Sequence, residues 1–126
     1  MVKRAAEMVA EANAAVGTLE VEEAKQLVGR DDVLFVDVRE GGELAIQGKI
    51  PGAVHAPRGL LEFYADPSTP YHKPALAEGK RLVVYCGSGG RSALAARTLK
   101  DMGIENVTNM LGGFGAWHQA GGPIER

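Results

Sequence analysis

The side chains best suited to covalent chemistry stand together in the segment Cys-Gly-Ser-Gly-Gly-Arg-Ser at positions 86–92. Cys86 is the only cysteine of the chain, and a backbone with Gly87, Gly89 and Gly90 can take positive φ angles and curl tightly. Successive N–H groups of such a curl point inward and form an anion-binding nest. A thiol beside these amides ionises more easily than a free thiol. The segment therefore predicts a reactive cysteine in an anion-binding loop.

A strand and a helix must hold this loop in place. Residues 82–85 are continuously apolar and β-prone, which predicts a strand covered on both faces. A helical pattern starts near Gly90 and would direct its positive end at the loop, where Arg91 adds a cation and Ser92 a hydroxyl for the sulfur. A lone cysteine is usually inert packing. Its place between a strand and a glycine-rich turn into a helix favours the functional interpretation.

Three further segments, together with the cysteine loop, resemble motifs of the rhodanese (sulfurtransferase) family. The loop is similar to the family's Cys-x-x-Gly-x-Arg-Ser motif. The other segments are 37–40, similar to Asp-x-Arg-Glu; 48–57, similar to Gly-His-Ile-Pro-Gly-Ala but with Lys49 in place of the usual histidine; and 111–117, similar to the closing Gly-Gly-x-x-x-Trp. The four motifs lie in order within residues 18–123, so the resemblance covers most of the chain.

The alternation of strand and helix patterns indicates a parallel α/β sheet. The resemblance adds a three-layer rhodanese-like domain with about five mainly parallel strands and helices on both faces. We expect residues 17–126 to form this domain and residues 1–16 to form an amphipathic N-terminal helical extension. Either packing or contact with a partner or a second copy would explain that helix.

The resemblance implies a single-domain thiosulfate sulfurtransferase. In that chemistry the Cys86 thiolate takes the outer sulfur of thiosulfate or a similar anion as a persulfide, and then passes it to cyanide or a thiol. The residues expected to bind the donor are Gly87, Ser88, Gly89, Gly90, Arg91 and Ser92. Arg58, after a short predicted strand, is either a second cation for the donor or a solvated surface side chain. No metal or organic cofactor is expected.

Loop length separates this interpretation from the cysteine phosphatases of the same fold. Those enzymes carry one residue more between the cysteine and the arginine than the four present here. The shorter ring has fewer inward N–H groups and a smaller cavity for an oxyanion. A phosphatase or arsenate reductase is one alternative. Another is a non-catalytic binding module of rhodanese type, a class that commonly lacks the cysteine.

Composition and charge fit one globular domain of 126 residues. The net charge of −2 argues against a nucleic-acid partner. A single cysteine excludes an internal disulfide and suits a reducing compartment, so we expect a cytoplasmic protein. No apolar run reaches the length of a membrane span, and Glu7 and Glu11 interrupt the core that a signal peptide needs. We expect a monomer or a weak homodimer.

Other residues carry structural expectations. Asp37 and Arg39 lie at the carboxyl end of a predicted strand, the edge where open parallel sheets bind ligands, and are expected to pair with one another or to brace a loop rather than to bind a ligand. His55 is expected to be a satisfied, semi-buried polar group. The residues expected in the core are Ala95, Leu99 and Met102 of the helix after the loop, and Phe114 and Trp117 near the end. The further predicted strands are 18–20, 33–38, 53–56 and 106–110, and the further predicted helices 21–28, 40–47, 60–64 and 112–119.

Overall fold

Five strands form one parallel sheet in the computed structural model, which describes all residues from Met1 to Arg126. The strands are β1 (Thr18–Leu19), β2 (Val33–Asp37), β3 (Val54–His55), β4 (Arg81–Tyr85) and β5 (Val107–Met110). Their order across the sheet is β1-β5-β4-β2-β3, and every neighbouring pair is parallel. The predicted parallel α/β sheet is confirmed. The two shortest strands lie at its edges, where short strands discourage pairing with other chains.

Six helices connect or flank these strands. They are α1 (Ala5–Val16), α2 (Val21–Lys25), α3 (Gly41–Gln47), α4 (Leu61–Ala65), α5 (Gly90–Asp101) and α6 (Gly113–Gln119). The helices α4 and α5 cover one face of the sheet, with α1 packed on α5, while α2 and α6 cover the other face. Helices on both faces complete the expected three layers. No helix combines the length and the apolar character that crossing a membrane would require.

The central strand β4 is buried on both sides, as its apolar run predicts. Leu82 and Val84 face the core beneath α5, whereas Val83 and Tyr85 face the core beneath α6. The side of Leu82 and Val84 also contains Cys86, the residue directly after the strand. Alternation along a strand therefore places the sulfur on the α5 face of the sheet.

Four of the five residues predicted in the core are buried as expected: Ala95, Leu99, Phe114 and Trp117. Met102 is 41% exposed, so its predicted place on the buried face of α5 is wrong. The helix ends before Met102, and Gly103 turns the chain with a φ of 104°. Ile104 then packs against the core at that end.

Element boundaries shift by a few residues from the predictions. The predicted helix over 21–28 ends at Lys25 as α2, and the predicted strand over 53–56 shortens to Val54–His55. Two 3-10 turns, Arg58–Leu60 and Pro74–Ala77, complete the segment between β3 and β4. These changes leave the order of elements as predicted, since each element keeps its place in the chain.

Candidate active site

The Cys86 loop joins the end of β4 to the start of α5. Its sulfur accepts three hydrogen bonds: from the Gly89 N–H (Sγ···N 3.1 Å), the Ser92 N–H (3.4 Å) and the Ser92 hydroxyl (Sγ···Oγ 3.3 Å). The predicted contact between the Ser92 hydroxyl and the sulfur is thus present. The loop closes around the sulfur from the helix side, and such a ring of donors stabilises a negative charge.

Burial and hydrogen bonding have opposite effects on the pKa of the Cys86 thiol. Cys86 is only 1% exposed, and burial raises the pKa of its thiol. The hydroxyl and amide of Ser92 and the amides of Gly89 and Ser88 lower that pKa by stabilising the thiolate. Their combined effect is the larger, so the pKa of Cys86 lies below its ordinary value. The site therefore favours the nucleophilic form of the sulfur.

The glycines of the loop differ in what they do. Only Gly89 has a positive φ, 115°, so the expectation that Gly87 and Gly90 share this conformation is wrong. At Gly87 a Cβ would lie 3.2 Å from the Nη2 of Arg91, a tight contact that a shift of the guanidinium by a few tenths of an ångström relieves. Gly89 is therefore the loop glycine whose backbone conformation, at the turn into the helix, specifically favours glycine.

The start of α6 supports the loop from outside. The Phe114 N–H donates to the Cys86 carbonyl (2.7 Å), and the Gly115 N–H donates to the Gly87 carbonyl (3.0 Å). Gly113 passes so close that a Cβ on it would lie 2.5 Å from the Cys86 oxygen. These contacts turn two loop carbonyls away from the sulfur. Sequence reasoning treated this segment only as a family motif and a core anchor, although consecutive glycines before a helix signal a close backbone approach.

Arg91 is paired with a carboxylate that sequence reasoning did not single out. Its Nη1 and Nη2 lie 2.7 and 2.9 Å from the two carboxylate oxygens of Glu43 on α3. The hydrogen bonds from Arg91 lower the pKa of Glu43 to about 2, and the same pair raises the pKa of Arg91. Arg91 attracts Cys86 electrostatically but makes no hydrogen bond to its sulfur. The lowered pKa of Cys86 thus comes from its hydrogen bonds.

Arg58 lies apart from the Cys86 loop. Its guanidinium donates to Glu62 (3.1 Å) and to the hydroxyl of Thr98 (3.2 Å). Thr98 is eight residues beyond Gly90, which is about 12 Å along α5. The 3-10 turn that begins at Arg58 directs the side chain to the middle of α5 and to a cleft beside α1. The structure therefore does not bring Arg58 to the loop with the other predicted donor-binding residues.

Asp37 and Arg39 pair with one another, as predicted. Both side chains are fully buried, and Nη2 of Arg39 lies 2.8 Å from the Asp37 carboxylate. Arg39 also donates to the Gly48 carbonyl (2.7 Å), and its guanidinium stacks 4.2 Å from the ring of Phe114. The semi-buried ring of His55 meets the Arg39 carbonyl at 2.7 Å, which confirms that it is satisfied. This pair supports the segment that carries the start of α6.

A cleft of about 450 Å³ reaches the loop at Gly87. Glu43 and Phe114 line it near the loop, and His118 and Arg126 line it farther along. The thiol itself lies beneath the loop surface rather than on the wall of the cleft. A ligand in this cleft would therefore meet Glu43 and the loop backbone before it met the sulfur.

Residues 20–120 match the family model of the rhodanese-like domain, and the chain belongs to that family. It is 36% identical over 101 residues to a sulfurtransferase of Allochromatium vinosum, covering 80% of this chain and 86% of that protein. It is 32% identical over 105 residues to the thiosulfate sulfurtransferase GlpE of Shewanella oneidensis, covering 81% and 92%. The chain spans about half the length of two other relatives, one of them the putative sulfur carrier protein YrkF of Bacillus subtilis.

A solved structure resembles the whole chain, including α1. It is a protein of unknown function from Rhodopseudomonas palustris, described as a possible tyrosine phosphatase. The two chains are 47% identical with a TM-score of 0.95, and the match covers 99% of this chain and 96% of that one. The N-terminal helix is thus shared with a relative, although it lies outside the family match.

Proposed function

We propose that the protein is a sulfurtransferase that carries sulfur as a persulfide on Cys86, between an anionic donor and a thiophilic acceptor. The observation that carries the proposal is the convergence of three hydrogen bonds from Gly89 and Ser92 on the Cys86 sulfur. The lowered pKa of this thiol and the relatives named as sulfurtransferases support it. A reactive thiol of this kind also suits a reducing compartment such as the cytoplasm.

The first step loads the cysteine. The Cys86 thiolate attacks the outer sulfur of thiosulfate, or of a similar donor, and forms a new S–S bond. The S–S bond of the donor breaks, and its electron pair leaves with sulfite. The negative charge then resides on the terminal sulfur of the Cys86 persulfide. We expect the amides of residues 87–92 to stabilise that charge as they stabilise the thiolate.

The second step unloads it. Cyanide or an acceptor thiolate attacks the terminal sulfur, and the persulfide S–S bond breaks with its electron pair returning to Cys86. The products are thiocyanate or the persulfide of the acceptor, together with the original thiolate. The electron pairs balance in both steps without an added oxidant or reductant. The same hydrogen bonds that stabilise the thiolate make it a good leaving group.

Arg91 is the cation proposed for the donor, and Glu43 is its competitor. A bidentate arginine–carboxylate pair and a bidentate arginine–oxyanion pair use the same donor groups. A sulfonate-like end of the donor would thus have to displace Glu43 from Arg91. The pair is half-exposed, with 43% of the arginine and 34% of the glutamate side chain accessible, so displacement leaves neither charge buried.

The phosphatase alternative draws on the similar structure described as a possible tyrosine phosphatase. Against it stand the four residues between Cys86 and Arg91, which make a small ring, and the engagement of the arginine by Glu43. A non-catalytic binding module would have no need of a cysteine whose pKa is lowered. Sulfur transfer is the function that these features support best.

One paired assay tests the proposal. The wild-type protein and a Cys86→Ser variant are assayed for transfer from thiosulfate to cyanide and for hydrolysis of p-nitrophenyl phosphate. We expect thiocyanate from the wild type only, and a gain of about 32 Da on Cys86 after thiosulfate treatment, as a covalent intermediate requires. Cys86-dependent phosphate hydrolysis without thiocyanate would establish the phosphatase instead. If the folded wild type showed neither activity, the result would favour the non-catalytic binding module.

A further inference from the structure

The carbonyl of Gly89, at the start of α5, is approached by three donors. The Ala93 N–H lies 3.1 Å from it, the Asn109 side-chain amide 3.2 Å and the Ser92 hydroxyl 3.2 Å. A carbonyl oxygen offers two lone pairs, and the Ser92 hydroxyl has one proton, which can go to this oxygen or to the Cys86 sulfur. Whatever fills the Gly89 carbonyl therefore decides where that proton goes.

Asn109 of β5 is fully buried, and its orientation is determined by its two neighbours. Its Nδ2 lies 2.8 Å from the side-chain oxygen of Asn13 on α1 and 3.2 Å from the Gly89 carbonyl. A carbonyl can only accept, so the NH₂ group of Asn109, and not its oxygen, faces Gly89, and the second proton of that group is directed at Asn13. The Oδ1 of Asn109 is left buried with no hydrogen-bond partner. An unpaired buried oxygen destabilises a fold, so this amide is a poor choice for packing alone.

We propose that Asn109 is a positioning residue of the Cys86 site: its amide occupies the Gly89 carbonyl and so leaves the Ser92 hydroxyl to donate to the sulfur, while Asn13 of α1 fixes that amide. Together with the Ala93 N–H, Asn109 fills both lone pairs of the carbonyl. The Ser92 hydroxyl can then donate to the Cys86 sulfur while the Gly89 carbonyl still accepts two hydrogen bonds. The importance of this role for turnover rests on the proposed sulfur transfer.

The inference also gives α1 a function in the site. The helix lies outside the family match at residues 20–120, yet Asn13 reaches the loop through one intervening side chain. It packs on α5, and the Lys100 ammonium of α5 donates to the Ala15 carbonyl of α1 (2.6 Å). The helix thus becomes part of the support of the sulfur rather than a separable extension.

Charged groups near the sulfur do not intervene in this network. Arg91 of α5 interacts electrostatically with Cys86, and it is paired with Glu43 and influenced by Glu40, both at the start of α3. None of these side chains hydrogen-bonds to Asn109 or Asn13. Replacing Asn109 by leucine keeps a similar shape and changes no charge. A shift in the ionisation of Cys86 would then report the redirected hydroxyl.

The experiment is the pH profile of iodoacetamide alkylation of the single cysteine, measured for wild type, Asn109→Leu, Ser92→Ala and the double variant. We expect Asn109→Leu to raise the alkylation midpoint by about one pH unit, since the thiolate loses a hydrogen bond. Ser92→Ala should raise it by at least as much. The double variant should match Ser92→Ala, because the amide acts through the hydroxyl. Asn106→Leu, the same change at an exposed residue directly before β5, should leave the midpoint unchanged.

Two results would overturn the proposal. One is an unchanged midpoint in a folded Asn109→Leu protein, with thermal unfolding as the check on folding. The other is a full additional shift in the Ser92→Ala background. Should Asn109→Leu not fold, Asn13→Leu on the half-buried side of the network is the second variant, expected to raise the midpoint in the same direction by a smaller amount. Alkylation needs no sulfur donor, so these results stand whether or not the protein transfers sulfur.

Discussion

The Asp37–Arg39 pair and the Glu43–Arg91 pair are both bidentate contacts between an arginine and a carboxylate, and they lie at two depths of the molecule. The closest contacts are 2.8 Å in the first pair and 2.7 Å in the second. The first pair is fully buried, whereas the second keeps 43% of its arginine and 34% of its glutamate side chain exposed. Opening a buried pair leaves uncompensated charges, whereas opening an exposed pair returns them to water.

The degree of burial therefore distinguishes the two pairs: the Asp37–Arg39 pair is structural, whereas the Glu43–Arg91 pair can open to solvent. Arg39 holds Asp37, the Gly48 carbonyl and the ring of Phe114 in one buried cluster. Arg91 holds only Glu43, at the rim of a cleft that reaches the cysteine loop. An incoming anion can compete for the second arginine but cannot reach the first. The same pairing chemistry thus serves stability at Arg39 and, in the function that we propose, exchange with the donor anion at Arg91.

The largest expected effect is on the buried pair. Arg39→Met leaves the buried Asp37 carboxylate without a charged partner, with only the backbone N–H of residue 39 still donating to it, and should lower the free energy of unfolding by about 3–5 kcal/mol. Urea unfolding followed by circular dichroism measures it. The double variant Asp37→Leu with Arg39→Met removes both charges and should recover part of the loss. If the free energy of unfolding of Arg39→Met were within about 1 kcal/mol of the wild-type value, burial would not distinguish the two pairs.

The exposed pair should respond in catalysis rather than in stability. Glu43→Gln removes the competitor for Arg91 and should lower the KM for thiosulfate several-fold, with unfolding changed by no more than about 1 kcal/mol. Glutamine still suits the capping position at the start of α3. Arg91→Ala is the matched opposite and should raise that KM by about tenfold, as expected for loss of one charge-assisted contact. If both variants shifted KM in one direction, competition for Arg91 would be refuted.

A smaller effect concerns pH. The pKa of Glu43 falls from 4.5 to about 2 in the folded chain, so its contribution to stability is present above pH 4.5 and lost as pH falls through about 2. Because the pair is half-exposed, we expect this contribution to be at most about 1 kcal/mol. Unfolding of wild type and Glu43→Gln across acid pH measures the difference between them. If the stability advantage of wild type over Glu43→Gln grew as the pH fell, the lowered pKa of Glu43 would be contradicted.

The smallest effect is expected at Arg58. Its contacts to Glu62, which is exposed, and to Thr98, which is partly buried, lie away from the loop, so Arg58→Ala should leave the KM for thiosulfate unchanged. Its effect on unfolding should stay below about 1 kcal/mol, as for other surface pairs. Steady-state kinetics beside Arg91→Ala makes the comparison direct. If Arg58→Ala raised the KM as much as Arg91→Ala, Arg58 would have to be counted among the donor-binding residues.

The Cys86 loop was predictable because its conformation depends on residues that are neighbours in the sequence. A strand ending directly before Cys86, a glycine-rich turn and a helix starting at Gly90 follow from neighbouring residues. The hydrogen bond from the Ser92 hydroxyl to the sulfur follows from the same segment, since the first turn of α5 brings it beneath the loop. The burial of β4 was equally readable, because a short apolar run in an α/β chain is covered on both faces.

The distant partners of the loop were not predictable in this way. Glu43 is 48 residues before Arg91, and Asn109 is 20 residues after Gly89, so no spacing rule joins them. Arg58 follows a strand whose end faces the correct edge of the sheet, yet the 3-10 turn carries it to α5. In each case the packing of one element on another chose the partner.

By itself the sequence determined the order of strands and helices and the parallel sheet, and it pointed to Cys86 as the nucleophile that we propose. These depend on periodicity, turn residues and a motif within one short segment. Only the tertiary structure decided which side chains hold the loop: Glu43 on Arg91, the amides at the start of α6 on the carbonyls of Cys86 and Gly87, and Asn109 on Gly89. Hydrogen bonds between distant segments form only after the layers have packed, and their geometry comes from that packing.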